Sequence, residues 1–528
     1  MNPKKTREQI FRHLDGMATV PVSLALYKKD ILQFILEHKT VDLNTLSETF
    51  NANKGYLNVA CRVLASQGFL EYVVDNSSKK ITVSINEKTP DFIQNISWYQ
   101  LVAPLTLNYN VDDFMGKEAN SSHFVFDLLD QFLKRVNKAN LSKKTVAYQM
   151  MKHTEGYLMA PMIVKLGMTG MFHKYFMESS FRADEFHTQP EVFTKILDFF
   201  TNMGWFTKNH NNYHFTEEGL FFAKRATAYG VTVSYLPLFL QLDTLLFGSA
   251  GVIRDIGANA DEIHVDRVMN VWGSGGAHTT YFKVIDDFII DIFNQPLEKQ
   301  PKGILDMGCG NGALLQHLYN TIERHTLRGK HLNEYPLFLV GADYNQAALK
   351  ITRANLITND IWAKVIWGDI GRPELLATDL KENYDIALED LLNMRTFLDH
   401  NRVWEDPGTE IQSISTSTGA FANRGQWLSN NLVEASLKKH LNKWKPYIKK
   451  NGLLVIELHT VDPKITADNI GKTPATAYDA THGFSDQYIL EIDVFKKIIK
   501  EIGLKTDARL FKKFPDTAYA TVSINYIK

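Results

Sequence analysis

At 528 residues the chain is long enough for three or four domains of about 150 residues each. It is 45% hydrophobic and 22% charged, which excludes a wholly disordered, collagenous or coiled-coil protein. Its 58 Lys+Arg balance 59 Asp+Glu to a net charge of -1, against a general nucleic-acid coat, and its 2 cysteines, Cys61 and Cys309, exclude a disulfide scaffold or four-cysteine zinc site. The opening segment from Met1 lacks the apolar core of a signal peptide. The most apolar stretch, Tyr235–Ser249, is broken by Gln241 and Asp243 and is too short to span a bilayer. These features predict a cytoplasmic protein with no membrane association.

Residues 30–86 read as three helices and a strand pair. Leu43, Leu46 and Phe50 have helical spacing, Asp42 or Asn44 can cap the start, and Gly68 is placed to stop the helix from Tyr56. Phe69–Asp75 and Lys80–Asn86 alternate like a hairpin. Residues 192–226 repeat the plan, so both stretches read as winged-helix units. Neither second helix is rich in Arg or Lys, so DNA is an unlikely partner and packing, dimerisation or a substrate lid is favoured. The aromatic and Met-rich segment 97–184 reads as helical core.

From Pro301 strands alternate with helices. The strands are Gly303–Gly308, Pro336–Tyr344, Lys364–Ile370, Tyr384–Leu391 and Gly452–Thr460, and two more, from Thr506 and from Ala518, close the chain. Helices are expected over Ala313–Thr326, Asn345–Thr358, Leu432–Asn451 and Phe495–Gly503. Such alternation predicts a doubly wound, mostly parallel α/β sheet. Three parts follow: a winged-helix-like domain over 1–90, a helical lid with a second winged-helix-like unit over 91–265, and the sheet domain over 266–528.

The segment Leu305–Ala313 is the most specific in the chain. Gly308, Gly310 and Gly312 follow a buried strand, open a helix and let backbone approach a ligand. Asp343 ends the second strand, where a carboxylate accepts from a ribose diol, and Gly368 and Asp369 end the third, where Asp369 can accept from an adenine amino group. All of them face the carboxyl edge of the sheet.

With Leu305-DMGCGNG-Ala313, Asp343 and Gly368-Asp369, residues 303–528 resemble the class I S-adenosylmethionine-dependent methyltransferases, a Rossmann-like fold. The resemblance implies S-adenosylmethionine bound by Asp306, Gly308, Cys309, Gly310, Gly312, Asp343, Tyr344, Gly368, Asp369 and Ile370. The G-x-G-x-G spacing and the terminal strand pair argue against a nicotinamide dehydrogenase. The gap from Asp306 to Asp343 is long for the family, so residues 326–336 read as an inserted surface loop.

Two readings of the acceptor follow. His459 ends the fifth strand, and His482 and Gln487 lie in a loop after it; imidazoles with an oxygen ligand suit iron, manganese or zinc, which would stabilise an enolate. The runs Val271–Thr279, Thr396–Arg402, Glu457–His459 and Asp479–Tyr488 resemble the metal-dependent C-methyltransferase domains of polyketide loading modules, which implies a small-molecule or carrier-bound acyl acceptor and an acyl carrier protein as partner. The other reading is a small-molecule O- or N-methyltransferase. There His459 or His482 acts as base, oriented by Glu389, Asp390 or Glu457, and a winged-helix module supports a homodimer. A winged-helix scaffold or regulator with a vestigial cofactor site is the non-enzymatic alternative. Each residue also has a plainer role. His459 can be a satisfied core histidine, and His278, in a flexible-looking loop after Gly275 and Gly276, can belong to a cap, Ser274–Thr280, of the helix from Tyr281. His400 can pair with Asp399 and Arg402, Cys309 can be a small packing residue, and the lysines from Lys438 to Lys445 a solvated helix face or a dock for an acidic carrier.

Overall fold

The computed structural model describes residues 3–120, 122–253, 262–408 and 413–528, with the side chains of 276, 277 and 279 outside the description. Two compact units emerge. The first comprises Met1–Ala277, Ala420–Trp427 and Asp462–Asp486; the second comprises His278–Gly419, Leu428–Val461 and Gln487–Lys528. The chain is therefore not cut once near residue 266: two segments of its C-terminal half belong to the first unit.

In the first unit, helices Pro3–Lys28 and Val146–Met168 cross where both carry glycine. A Cβ on Gly16 would lie 2.3 Å from the carbonyl of His153, and one on Gly156 would lie 2.3 Å from Cα of His13. Beside this crossing, His13 is buried between Glu155, 3.0 Å from Nε2, and Tyr229, 2.8 Å from Nδ1. The first winged-helix-like unit forms as expected. Helices Leu43–Thr49 and Lys54–Ser66 precede strands Glu71–Asp75 and Lys80–Ser84, and Thr40–Asp42 adds a third strand. Asp42 is the cap, accepting from the backbone N–H groups of Asn44 and Thr45 at 3.0 and 3.1 Å. The second has helix Pro190–Asn202, strands Phe206–Asn209 and Asn212–Phe215, and helix Glu217–Ala223. Segment 97–184 is helical, with Trp98, Tyr99, Met150, Tyr157, Met159 and Met162 buried.

Residues 475–483 form a helix, not the loop expected around His482. Its Asp479 makes a buried 2.9 Å ion pair with Arg62, and Thr476 accepts from Gln67 at 2.7 Å, so the helix is fastened to helix Lys54–Ser66.

The second unit is built on a seven-stranded sheet: β1 Gly303–Met307, β2 Phe338–Asp343, β3 Ala363–Trp367, β4 Leu391–Thr396, β5 Leu453–Leu458, β6 Lys512–Phe514 and β7 Val522–Ile527. The order is β3-β2-β1-β4-β5-β7-β6, parallel except that β7 runs antiparallel to both β5 and β6. Every residue of β1, β5 and β7 is buried. Ligands of open α/β sheets bind where the strand order reverses, here outside the carboxyl ends of β1 and β4.

Three local expectations change. The fourth strand is Leu391–Thr396, not Tyr384–Leu391, because Tyr384 ends a helix from Pro373 that the sequence reading does not contain, and Asp385 turns left-handed at φ 52. Asn393 and Arg395 break the apolar run but are both buried. Arg267–Phe293 is one helix, so His278 is helical and the glycines before it do not interrupt. The segment from Thr326 to Pro336 is not merely surface, since buried Arg328 donates to Gln300 Oε1 at 2.9 Å and to the Pro301 carbonyl at 3.0 Å. Among the described residues no helix is long and apolar enough to cross a membrane.

Burial pushes the carboxyl of Asp15 on helix Pro3–Lys28 up to about 8, against weaker lowering by Gln67 and Arg12. Folding then takes up a proton wherever the unfolded carboxyl is ionised, so this contribution is complete below about pH 4 and lost as pH rises through about 8. Asp15→Asn should therefore match the parent near pH 4 and exceed it in urea midpoint above pH 8. Parallel pH profiles of the two midpoints would remove Asp15 as the source.

Candidate functional site

The turn after β1 is fixed from both sides. The N–H groups of Gly308 and Cys309 donate to the Ala342 carbonyl of β2 at 2.7 and 3.1 Å. Thr352 Oγ1 donates to the Gly310 carbonyl at 2.8 Å. Gly308, Gly310 and Gly312 have φ of 81, 56 and 79, the left-handed region that glycine enters without penalty. A Cβ on Gly308 would meet Leu398 at 2.8 Å, whereas one on Gly310 meets nothing within 4 Å, so the middle of the turn borders open space. Cys309 Sγ sits 3.5 Å from Thr352 Oγ1, and burial pushes its thiol up to about 12. That is a packing residue, not a nucleophile.

Asp343 stands over this turn. Its Oδ2 accepts from the Gly310 N–H at 3.0 Å and its Oδ1 from the Asn345 N–H at 2.8 Å. These two backbone bonds set the orientation of the carboxylate. Asp306 is buried, and its Oδ1 has no hydrogen-bond partner among the described residues. Burial, then the nearby Asp343 charge, pushes its carboxyl up to about 7. Tyr344 and Trp367, 64% and 41% exposed, face each other with ring centroids 5.7 Å apart. Asp369 Oδ1 accepts from Gly371 N–H at 2.8 Å, and the Ile370 carbonyl accepts from Trp444 Nε1 at 2.7 Å. A Cβ on Gly368 would be 3.0 Å from that of Ala342, which keeps the third strand end flat against the second.

The loop after β4 completes the edge. Phe397 holds φ 54, uncommon for an aromatic residue, and its N–H donates to Ile456 of β5 at 2.7 Å. His278 stacks on its ring at 4.9 Å, and Tyr281 meets it edge-on at 5.8 Å. Burial holds the His278 imidazole down at about 4, so it is neutral at pH 7. Leu398 packs on the glycine turn as described. Asp399 is ion-paired to Arg395 and lies 2.9 Å from His440 Nε2. Burial raises the Asp399 carboxyl, but Arg395 and His440 outweigh it and keep the group ionised. Next comes His400, whose Nδ1 is 2.6 Å from Glu457 Oε1 and whose N–H donates to Glu457 Oε2 at 3.2 Å. A cavity of about 10 Å³ beside Asp399, His400, Glu457, His459 and Tyr488 has room for one water.

Sequence reasoning named Glu457 but set it beside other histidines, and it read His400 as part of the Thr396–Arg402 run or as a local pair with Asp399 and Arg402. The misplaced fourth strand hid their juxtaposition: with β4 ending at Thr396, His400 lies four residues past it.

The residues expected to hold a metal do not fit one. His459 Nδ1 is 2.9 Å from the Leu490 carbonyl and Nε2 is 2.7 Å from Ser523 Oγ, so both ring nitrogens serve the core. His482 lies on its helix with Nδ1 2.8 Å from the Tyr478 carbonyl. Among the described residues no three His, Cys, Asp or Glu side chains are grouped as a metal would require. The glycine turn, its open centre, the unpartnered Asp306 oxygen and the oriented Asp343 do fit S-adenosylmethionine.

Comparison with known proteins agrees. Residues 262–525 match the AprA MT2-like domain, 155–249 the AprA winged helix domain and 6–72 the AprA N-terminal domain. The chain belongs to the AprA MT2-like methyltransferase family, and it is an S-adenosylmethionine-dependent enzyme. No curated protein matches it. Among solved structures it is similar to the mitomycin 7-O-methyltransferase MmcR, at 11% identity over 71% of this chain and 95% of that one, TM-score 0.40. It is also similar to the CurJ carbon methyltransferase, at 13% identity over 82% and 98%, TM-score 0.31. A third is an O-methyltransferase family protein from Burkholderia thailandensis, at 10% identity over 72% and 98%, TM-score 0.38.

Replacing Asp343 with alanine should weaken S-adenosylmethionine binding by about 1.5–3 kcal/mol, the range for hydrogen bonds to a charged group. Titration calorimetry reads this directly, and unchanged affinity would contradict the assignment of Asp343.

Proposed function

From membership of the AprA MT2-like family, we propose that this enzyme methylates the acidic carbon of an acyl acceptor, free or carried on an acyl carrier protein, with His400 as general base. The acceptor class is supported by the resemblance to polyketide C-methyltransferase domains; the base is supported by the His400–Glu457 contact at 2.6 Å, two residues after Leu398, which packs on the glycine turn. When bound, S-adenosylmethionine supplies a methyl group on a sulfonium, open to in-line attack.

The chain's own residues do the remaining work. The glycine turn, Asp343 and Asp369 fix the donor, which converts a bimolecular encounter into a positioned one. Glu457 accepts from Nδ1–H of His400, so the tautomer presents Nε2 to the acceptor. Nε2 takes the acceptor proton, and the Glu457 carboxylate stabilises the imidazolium that results. Arg395, Asp399 and His440 hold the one-turn helix Asp399–Asn401 from beneath, and Phe397 turns the chain so that this segment follows directly on β4.

His400→Ala should lower kcat about a hundredfold to ten-thousandfold while S-adenosylmethionine affinity stays near that of the parent. Glu457→Gln should lower kcat as well, because the amide no longer stabilises imidazolium. The acceptor atom is read with a malonyl thioester deuterated at its central carbon. Loss of one deuterium with gain of a methyl supports carbon methylation; a methylated product retaining both deuteriums assigns the transfer to oxygen. A fully active His400→Ala enzyme would exclude this base.

A further inference from the structure

A second cavity, of about 190 Å³, lies within the first unit, formed by Gly167, Phe172, His173, Phe176, Ala223, Lys224, Ala226, Thr227 and Trp272. One wall is closely packed: a Cβ on Gly167 would stand 2.8 Å from the Trp272 ring and 3.1 Å from Cβ of Ala226, and Ala223 and Ala226 each present a single methyl. Phe172 is buried in the wall, Phe176 is 37% exposed, and Met177 beside it is 80% exposed, so apolar surface continues from the cavity outward. Contiguous exposed apolar surface of this kind marks binding sites more often than bare solvent contact.

The polar residues of the lining are His173, Lys224 and Thr227; Lys224 supplies its fixed charge, and no acidic residue lines the cavity. The Lys224 ammonium stands 5.8 Å from the centroid of the Phe176 ring. Among the described residues it has neither a carboxylate partner nor a side-chain hydrogen bond. An apolar slot with an unpaired cation at its edge is complementary to an alkyl chain ending in a negative charge. We infer that this cavity binds the chain of an amphiphilic anion, its head group at Lys224. Neither the family match nor the methyl-transfer site assigns it, and the inference does not depend on the acceptor proposed above.

A free alkyl carboxylate has this chemistry, whereas an acyl thioester on a phosphopantetheine arm does not, because its carbonyl end is neutral and its phosphate lies at the far end of the arm. The whole protein is titrated with decanoate, with decanol and with decanoyl-phosphopantetheine, following tryptophan emission, and the Trp272→Phe variant identifies the responding ring. Decanoate should give a saturable shift, and decanol and the thioester should bind about tenfold more weakly, the size of one lost charge-assisted contact. Thioester binding tighter than decanoate would overturn the placement of an anionic head group at Lys224. Lys224→Gln should erase the preference over decanol, and Ala226→Phe should fill the slot and abolish binding. Lys224 is exposed, so its variant tests the head-group contact whether or not Ala226→Phe folds. Equal binding by decanol and decanoate, binding unchanged by Ala226→Phe, or no saturable response to any probe would overturn the inference.

Discussion

Parallel strands β1 and β4 lie side by side, and the strand order reverses between them. That single constraint places the site. The chain leaves β1 toward β2 and β3, and it leaves β4 toward β5, so no connection covers the crevice between their carboxyl ends. The glycine turn and the Phe397–Arg402 segment meet there, with Leu398 filling the space that the missing side chain of Gly308 vacates. Loss of the reversal would leave both segments in place along the chain but apart in space.

Charge burial beneath that edge is extensive. Arg395 and Asp399 are buried together, and the Arg395 guanidinium also lies 4.1 Å from the centroid of the Trp444 ring. Glu434 on helix Asn430–Ile448 is buried against Lys497 at 2.9 Å. Such groups are expensive to desolvate, and removing one partner leaves the other charge uncompensated. Their value here is geometric. The Arg395–Asp399 pair anchors the one-turn helix that carries His400, and the Glu434–Lys497 pair ties helix Asn430–Ile448 to helix Ile492–Glu501. The glycine contact of Gly16 and Gly156 does comparable work in the first unit, where only missing side chains allow the two long helices to touch through their backbones.

Much of the sheet was legible in the sequence because its strands are short apolar runs next to glycine. Gly303–Met307 is buried at every residue, and period-free apolar runs of that length point to a covered parallel strand. The fourth strand was not legible. Asn393 and Arg395 read as surface, and only the tertiary partners that surround them make burial affordable: Asn393 Nδ2 reaches the Tyr447 carbonyl at 3.2 Å, and Arg395 reaches Asp399. The same limit applied to histidines. His400, His459 and His482 are alike as letters, yet one meets a glutamate, one is consumed by Leu490 and Ser523, and one sits on a helix packed with the N-terminal region.

What the sequence determined by itself was the cofactor edge: a tight turn needs three glycines, and acids at two successive strand ends need no partner to be recognised. These are local requirements, met within a few residues of each other. Only the tertiary structure decided which histidine stands beside Glu457, which carboxylates are compensated, and that residues 462–486 belong with the N-terminal helices. Each of those depends on side chains far apart in the chain, such as Arg62 and Asp479, whose meeting is set by the packing of whole helices and not by any nearby spacing.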